Sequence, residues 1–361
     1  MKRLLVVLAA LAIILTSVGL ARAKQESSSG SYKILKKVKA GGEGGFDYIF
    51  ADVAGRRLYV PRNGPAGLMV FKLDTLGSAG SIPTIAAGGA TVDPKSHHGF
   101  STTKPVTMWD SQTLKVIKTI DVDGRPDGIM YDPYNERVWI FSHQPPYATV
   151  IDGKDGTVVG TIDLGGAPEQ GVSDGKGTVY VNISDKANVA VVDAKNMKVT
   201  AHYDVSSEGT GGSGLALDAK NHILFAYYRQ PSSNVIILSA ENGKIITTLP
   251  TGMRVDTAVF NPNTMEAISA ERGGTMTFIK ENGPTSFSVE QTLQTMPVAK
   301  TIALDTKTNH LFTMTAEFGP APAPPPQPAT PPPAGERGRG GFRGGRAPMI
   351  ADSFTVFMIG K

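Results

Sequence analysis

The sequence has 361 residues, 40% of them hydrophobic and 19% charged. That is enough apolar material for a folded core and too little charge for an intrinsically disordered chain. The formal net charge is +4 and there is no cysteine, which excludes disulfides, thiolate metal ligands, c-type haem attachment and cysteine lipidation.

Residues 1–23 have the form of a secretory signal. Lys2 and Arg3 form the positive start, an apolar run follows from Leu4 to Leu15, and Ala21-Arg22-Ala23 is an A-x-A cleavage site. The run is shorter than the roughly 20 residues a spanning helix needs. The expectation is therefore a cleaved leader, a periplasmic or secreted product and no membrane span after cleavage. Losing Lys2, Arg3 and Arg22 brings the net charge from +4 to +1, so most of the basic character that would suggest nucleic acid leaves with the leader.

A polar leader (24–31) precedes YKILKKVKA at 32–40, which matches the strands LKVIKTIDV (114–122) and TVVGTIDL (157–164). From there the chain repeats one unit, clearest between Gly124 and Gly166. The runs PDGIMYD, ERVWIFS, YATVID and TVVGTIDL are separated by turn-forming DPYN, HQPP and DGKDG, the pattern of a four-stranded antiparallel meander. An Asp or Asn closes each first strand: Asp52, Asp93, Asp132, Asp174, Asp218, Asn261 and Asp305, spaced by 41, 39, 42, 44, 43 and 44 residues. The third strand recurs as LMVF, VTMWD, ATVID, VAVVD, VIILS, MTFI and FTVFM. Such a period with four strands per unit predicts an all-β, seven-bladed β-propeller. Its blades start near residues 41, 87, 124, 166, 209, 253 and 297. The seventh unit lacks a fourth strand, so residues 32–40 are expected to complete it, leaving one closed domain over 32–361 with no free blade edge.

The last unit carries an insertion, 317–350, whose Pro/Ala-rich first part leads into GERGRGGFRGGR. This composition predicts a disordered segment. Arg337, Arg339, Arg343 and Arg346, with Phe342 among them, match segments that bind single-stranded nucleic acid or other polyanions. A solvated linker explains the composition equally simply.

Aligning the units yields two rings on one face. The second residue of each first-strand segment is Asp47, Gly88, Asp127, Glu169, Ser213, Asp256 or Lys300, an inner mouth rich in carboxylates. Ten or eleven residues beyond the closing Asp or Asn stand Arg62, Lys104, His143, Asp185, Arg229, Arg272 and Ala316, a basic collar. Arginine forks in such a collar suit phosphate or carboxylate groups. Clustered carboxylates suit a hard cation such as Ca²⁺, here on Asp47, Asp127, Glu169 and Asp256. Both rings also have a purely structural explanation, a salt-bridged mouth in which Lys300, Arg125 and Arg254 neutralise the acids, inside a solvated rim. No cofactor is expected on that explanation. His97, His98, His222 and His310 fall on the opposite face and His202 in an outer strand, leaving His143 alone at the mouth. No G-x-S-x-G elbow or P-loop occurs. Catalytic residues are therefore not assigned, and a quinone- or haem-dependent dehydrogenase is disfavoured.

Tyr59-Val60, Tyr180-Val181-Asn182 and the V-x-V-D third strands make the chain resemble the YVTN-repeat, YncE-like family of secreted bacterial seven-bladed propellers. The resemblance covers the chain from Tyr32 except the insertion. It is specific for the fold; the reading of the chain as a whole is a binding or interaction scaffold working through the central mouth, monomeric, with an unknown ligand or an envelope protein or polymer as partner. Family members are often classed as DNA-binding, and no catalytic motif carries over. Two alternatives stand beside the scaffold: a polyanion or nucleic-acid binder using the collar and the arginine segment, and a metal-dependent propeller hydrolase or lactonase.

Overall fold

The computed structural model describes residues 31–83, 88–320 and 347–361. The expected signal segment, the leader up to residue 30 and the four arginines of the insertion lie outside them. Tyr32–Gly360 forms one compact unit.

Its strands make seven antiparallel sheets arranged as the blades of a propeller. Blade 3 is typical: Pro126–Asp132, Arg137–Ser142, Ala148–Asp152 and Val158–Ile162 pair in chain order. Among the described residues no helix is long and apolar enough to cross a membrane.

Both faces of each blade are covered by neighbouring blades, so the middle strands are apolar almost without interruption. In Thr178–Ile183, Val179, Val181 and Ile183 face blade 3. Tyr180, pointing the other way in the period-2 pleat, joins the cluster against blade 5. The buried apolar clusters each lie between two adjacent blades. Trp109 and Trp139, both fully buried, pack there as blade fillers. Gly99 lies against Trp109, where a Cβ would stand 2.2 Å from the indole. Outer strands alternate instead, as in Lys198–Asp204 with every second residue exposed.

Turns after the closing Asp or Asn tie each blade to its neighbour. The Arg57 guanidinium of blade 1 donates to the carbonyl of Gln112 in blade 2, and Ser96 of blade 2 donates to Gly153 in blade 3. Asn135 of blade 3 donates to Ala194 in blade 4. Arg56 closes the circle from blade 1 onto Asp305 of blade 7 at 2.7 Å.

The ring is sealed as the repeat count predicts. Lys33–Lys39 pairs antiparallel with Thr355–Gly360 and supplies the fourth strand of blade 7. Just before it, Tyr32 is held by blade 6. Its ring stacks on Phe278 with centroids 4.1 Å apart, and its backbone exchanges two hydrogen bonds with the Gln291 amide. The N-terminal strand thus joins two blades.

Arg62 departs from its expected place in the collar. It is fully buried, donating to the carbonyls of Gly41, Gly42 and Gly44 and lying 3.7 Å over the Phe354 ring. The guanidinium holds the glycine-rich strand-to-blade connection against blade 7 and cannot receive an external anion. Burial pushes its pKa down to about 10.

The insertion begins later than its composition suggests. Glu317–Gly319 and 348–350 continue the hairpin through a Phe318–Met349 bridge and bonds from Gly319 to Pro348 and Ile350 to Glu317.

Two outcomes follow. Removing residues 32–39 costs the buried Tyr32, about 3–5 kcal/mol for a large aromatic, and the edge pairing as well. Melting should fall by about 10 °C or more, with aggregation through the exposed 355–360 edge. Unchanged melting would contradict closure. Arg62→Ala should cost about 2–4 kcal/mol through lost cation–π contact and orphaned carbonyls, whereas exchanging the rim residue Lys104 for Ala should leave denaturant midpoints unmoved.

Candidate functional site

The mouth is built at the start of the first strands, and a repeated backbone device aims its side chains. Ladder register shifts between Pro126 and Ile129, Pro168 and Gly171, Gly212 and Leu215, and Val255 and Thr257. Each irregularity brackets one ring position, namely Asp127, Glu169, Ser213 or Asp256. A bulge turns a side chain out of the strict alternation of a strand. In blade 1 the interruption is complete: Gly45–Phe46 and Phe50–Asp52 pair separately, with Asp47 and Tyr48 between them.

Adjacent first strands are stitched by hydroxyls. Thr102 donates to the Asp127 carbonyl at 2.6 Å, Ser213 to Val255 at 2.8 Å and Thr301 to Asp47 at 3.0 Å. Ser213, expected at the mouth, is fully buried and serves this stitching. Gly88 contributes its carbonyl to the Tyr48 N–H.

The charged positions divide into two halves. In the first, Lys300 bridges Asp47 at 2.6 Å and Asp256 at 2.7 Å. Arg229 adds a 2.7 Å pair to Asp256, and Arg272 lies 3.4 Å from it. Burial alone would raise the Asp256 pKa, but Lys300, Arg272 and Arg229 hold it below the usual carboxylate value. Asp47 goes the other way: burial lifts it to about 6 against the pull of Lys300, helped by Asp256 and Asp127. Neutralisation thus comes from Lys300, Arg229 and Arg272. Arg125 and Arg254, the suppliers expected from the sequence, are exposed and make no ion pair among the described residues. Because Lys300 occupies the space between Asp47 and Asp256, the four carboxylates do not converge on one point.

The second half contains Asp127, His143 and Glu169. His143 Nε2 lies 3.3 Å from Asp127 and 3.9 Å from Glu169. No lysine or arginine among the described residues is within ion-pair distance of either acid. Glu169 is raised by burial, opposed by Arg229 and His143. The expected collar therefore does not stand apart from the mouth: His143, Arg229 and Arg272 point inward to its carboxylates. Lys104 stays on the exposed rim and donates to the Gly124 carbonyl.

Two residues that sequence reasoning passed over complete the site. Tyr48 reaches from blade 1 to Glu169 of blade 4, its phenol donating to Oε2 at 3.3 Å. Burial first, then the surrounding carboxylates, push the phenol well above its ordinary pKa, which keeps it a donor. Gln170 accepts from the N–H groups of Leu215 and Ala258 and donates to the Ala258 carbonyl, spanning blades 4, 5 and 6. Tyr48 showed one available signal, an aromatic directly after a ring carboxylate. Gln170 showed none.

Beside this layer runs the central channel, a cavity of about 680 Å³ lined by first strands of all seven blades. Phe50, Tyr131, Val172, Leu217, Phe260 and Leu304 form its mostly apolar wall, and Tyr48, Glu169 and Gln170 border it as well.

No family model matches the sequence, and no curated protein matches it. Solved structures do match in fold. A chain of the Kuenenia stuttgartiensis hydrazine synthase aligns with a TM-score of 0.67 at 14% identity, covering 76% of this chain and 95% of that one. A chain of a mitotic checkpoint complex aligns at 0.67 and 10% identity, covering 78% and 88%. The structure of U3-55K aligns at 0.67 and 9% identity, covering 91% and 98%. At such identities the likeness concerns fold alone, and the class is established: this is a seven-bladed β-propeller.

The electrostatics are checkable by carbon-detected NMR. The Asp47 carboxyl should titrate with a midpoint near 6, and in Lys300→Met higher still. Since its folded value lies above 3.8, its ionisation opposes folding, and its share of stability, full below pH 4, should be lost as pH rises through 6. A midpoint near 3.8 would show that water, not protein, surrounds Asp47.

Proposed function

We propose that the protein is an exported, non-catalytic binding propeller of the YVTN-repeat, YncE-like kind, which takes its ligand at the mouth through a positively charged group. The observation carrying this reading is the unequal division of charge: Asp47 and Asp256 share Lys300 in direct ion pairs, while among the described residues Asp127 and Glu169 have no lysine or arginine within ion-pair distance, only His143 close by and Arg229 acting on Glu169 from farther off. A cation completing that half gains full electrostatic attraction in a partly desolvated site, and the site is preformed, because Tyr48 and Gln170 already fix its geometry across blades.

Binding is favoured over catalysis by how the reactive groups are used. Ser213 donates to a backbone carbonyl and is fully buried, and the Lys300 ammonium is shared by two carboxylates. Neither is placed to attack a substrate. Export rests on the form of residues 1–23. A second reading, polyanion binding through Arg337, Arg339, Arg343 and Arg346, is favoured by the composition of that segment alone, since Arg62, Arg229 and Arg272 are engaged inside the protein.

Calorimetric titration with oligolysine, oligoaspartate and single-stranded DNA separates the two. Oligolysine should bind wild type and lose at least ten-fold in affinity in Asp127→Asn/Glu169→Gln. Binding of only the anionic oligomers, abolished when residues 321–346 are replaced by a Gly/Ser linker, would overturn the mouth reading in favour of the second.

A further inference from the structure

We propose that the acidic half of the mouth is a divalent transition-metal site, with Asp127, His143 and Glu169 as ligands and zinc as the best-fitting ion. The inference deepens the mouth reading and rests on it.

One ligand atom from each of the three residues lies within 4.8 Å of the other two. With metal–ligand bonds of about 2.1 Å, ligand atoms around a tetrahedral or octahedral ion stand roughly 3.0–3.4 Å apart. His143 Nε2 stands 3.3 and 3.9 Å from the two carboxylates, close to those spacings, and the two carboxylate oxygens, within 4.8 Å of each other, would draw together on binding.

A second observation is independent of that spacing. His143 Nε2 is shielded from water and has no hydrogen-bond partner, although two carboxylates flank it. A buried imidazole nitrogen is normally satisfied. Here the nitrogen lies 3.3 and 3.9 Å from two carboxylate oxygens without a hydrogen bond to either, and an ion bound there would engage all three groups.

The surroundings support the same reading. The Tyr48 phenol donates to Glu169 Oε2 at 3.3 Å and leaves Oε1 as the atom nearest the imidazole. A donor that orients a ligating carboxylate is the usual outer-shell arrangement of metal sites. Asp127 is fixed from behind, its carbonyl accepting from Thr102 and its side chain set by the bulge after Pro126. Lys300 is engaged on Asp47 and Asp256 and Arg229 pairs with Asp256, acting on Glu169 only from beyond ion-pair distance.

The donor set also selects the ion. One imidazole nitrogen with two carboxylates suits zinc and its first-row neighbours, whereas calcium takes oxygen ligands and gains nothing from His143. Three protein ligands leave a coordination position open toward the mouth, where a donor atom of a partner or solute can bind.

The full-length mature protein, stripped with a chelator and then freed of it, is titrated calorimetrically with Zn²⁺, Co²⁺, Mn²⁺ and Ca²⁺. One equivalent of Zn²⁺ is expected, with Co²⁺ giving visible bands distinct from the aqueous ion. Zn²⁺ should shift the His143 imidazole resonances and leave His97 and His98, on the opposite face, in place. His143→Ala should weaken Zn²⁺ at least ten-fold while melting stays within a few degrees of wild type. Tyr48→Phe, acting only through Glu169, should weaken it by about ten-fold. No stoichiometric binding of Zn²⁺, Co²⁺ or Mn²⁺ to the folded protein would overturn the proposal, as would Zn²⁺ binding unchanged in His143→Ala. Oligolysine binding that depends on Asp127 and Glu169 in a protein indifferent to zinc would end the metal site and leave the mouth reading intact.

Discussion

Everything at the mouth depends on one antiparallel pairing, that of Lys33–Lys39 with Thr355–Gly360. The side chains that meet there come from blades 1, 3, 4, 5, 6 and 7. Asp47 and Lys300 are 253 residues apart, Tyr48 and Glu169 are 121 apart. The first pair can form only when blade 7 stands beside blade 1, an adjacency that the N-terminal strand fixes, and the second reaches across the ring. The junction is reinforced from both sides, by Tyr32 on blade 6 and by Arg62 under the Gly41–Gly44 carbonyls. A buried cation solvated by three carbonyls and an aromatic face is an expensive device to replace, because any smaller side chain leaves those carbonyls unpaired.

Closure also decides how the charges settle. Four carboxylates crowded near one axis repel, and burial raises Asp47 and Glu169. The ring answers with Lys300 between two of them and with Arg229 and Arg272 on Asp256, from the adjacent second strands. The remaining two carboxylates share an imidazole. Charge on Asp47 and Asp256 is thus met by direct ion pairs, whereas among the described residues Asp127 and Glu169 have no lysine or arginine within ion-pair distance.

Much of the fold was legible in the sequence. The seven closing Asp or Asn residues fix the blade count, since an Asx side chain caps the turn that follows: Asp218 accepts from the Lys220 N–H and Asp174 from Lys176. The missing fourth strand of the last unit points directly at residues 32–40. The ring positions were legible too, because register carries from blade to blade. What register does not carry is direction. His143 and Arg229 sit at collar positions by count, yet their side chains turn inward to acids of the mouth. Arg62, at the same count, turns down into the blade 7 junction, where the special glycine run 41–45 replaces the usual start of a first strand. Tyr48 and Gln170 were missed because their partners lie one to three blades away, and no local periodicity encodes a contact between blades. The bulges that aim Asp127, Glu169 and Asp256 left a faint trace, the glycines Gly128 and Gly171 close behind the acids. Gly171 leaves room for Phe141, whose ring would stand 2.5 Å from a Cβ there.

Ring closure assembles the mouth, and we propose that its less compensated half receives a cation on Asp127, His143 and Glu169. Anomalous diffraction at the zinc absorption edge, from crystals of the mature protein grown with zinc, tests this most directly. One peak is expected, bonded to Nε2 of His143 and to oxygens of Asp127 and Glu169, with the Lys300 bridge between Asp47 and Asp256 undisturbed. A map whose zinc peaks lie only elsewhere, with His143 Nε2 turned away from both acids, would contradict it.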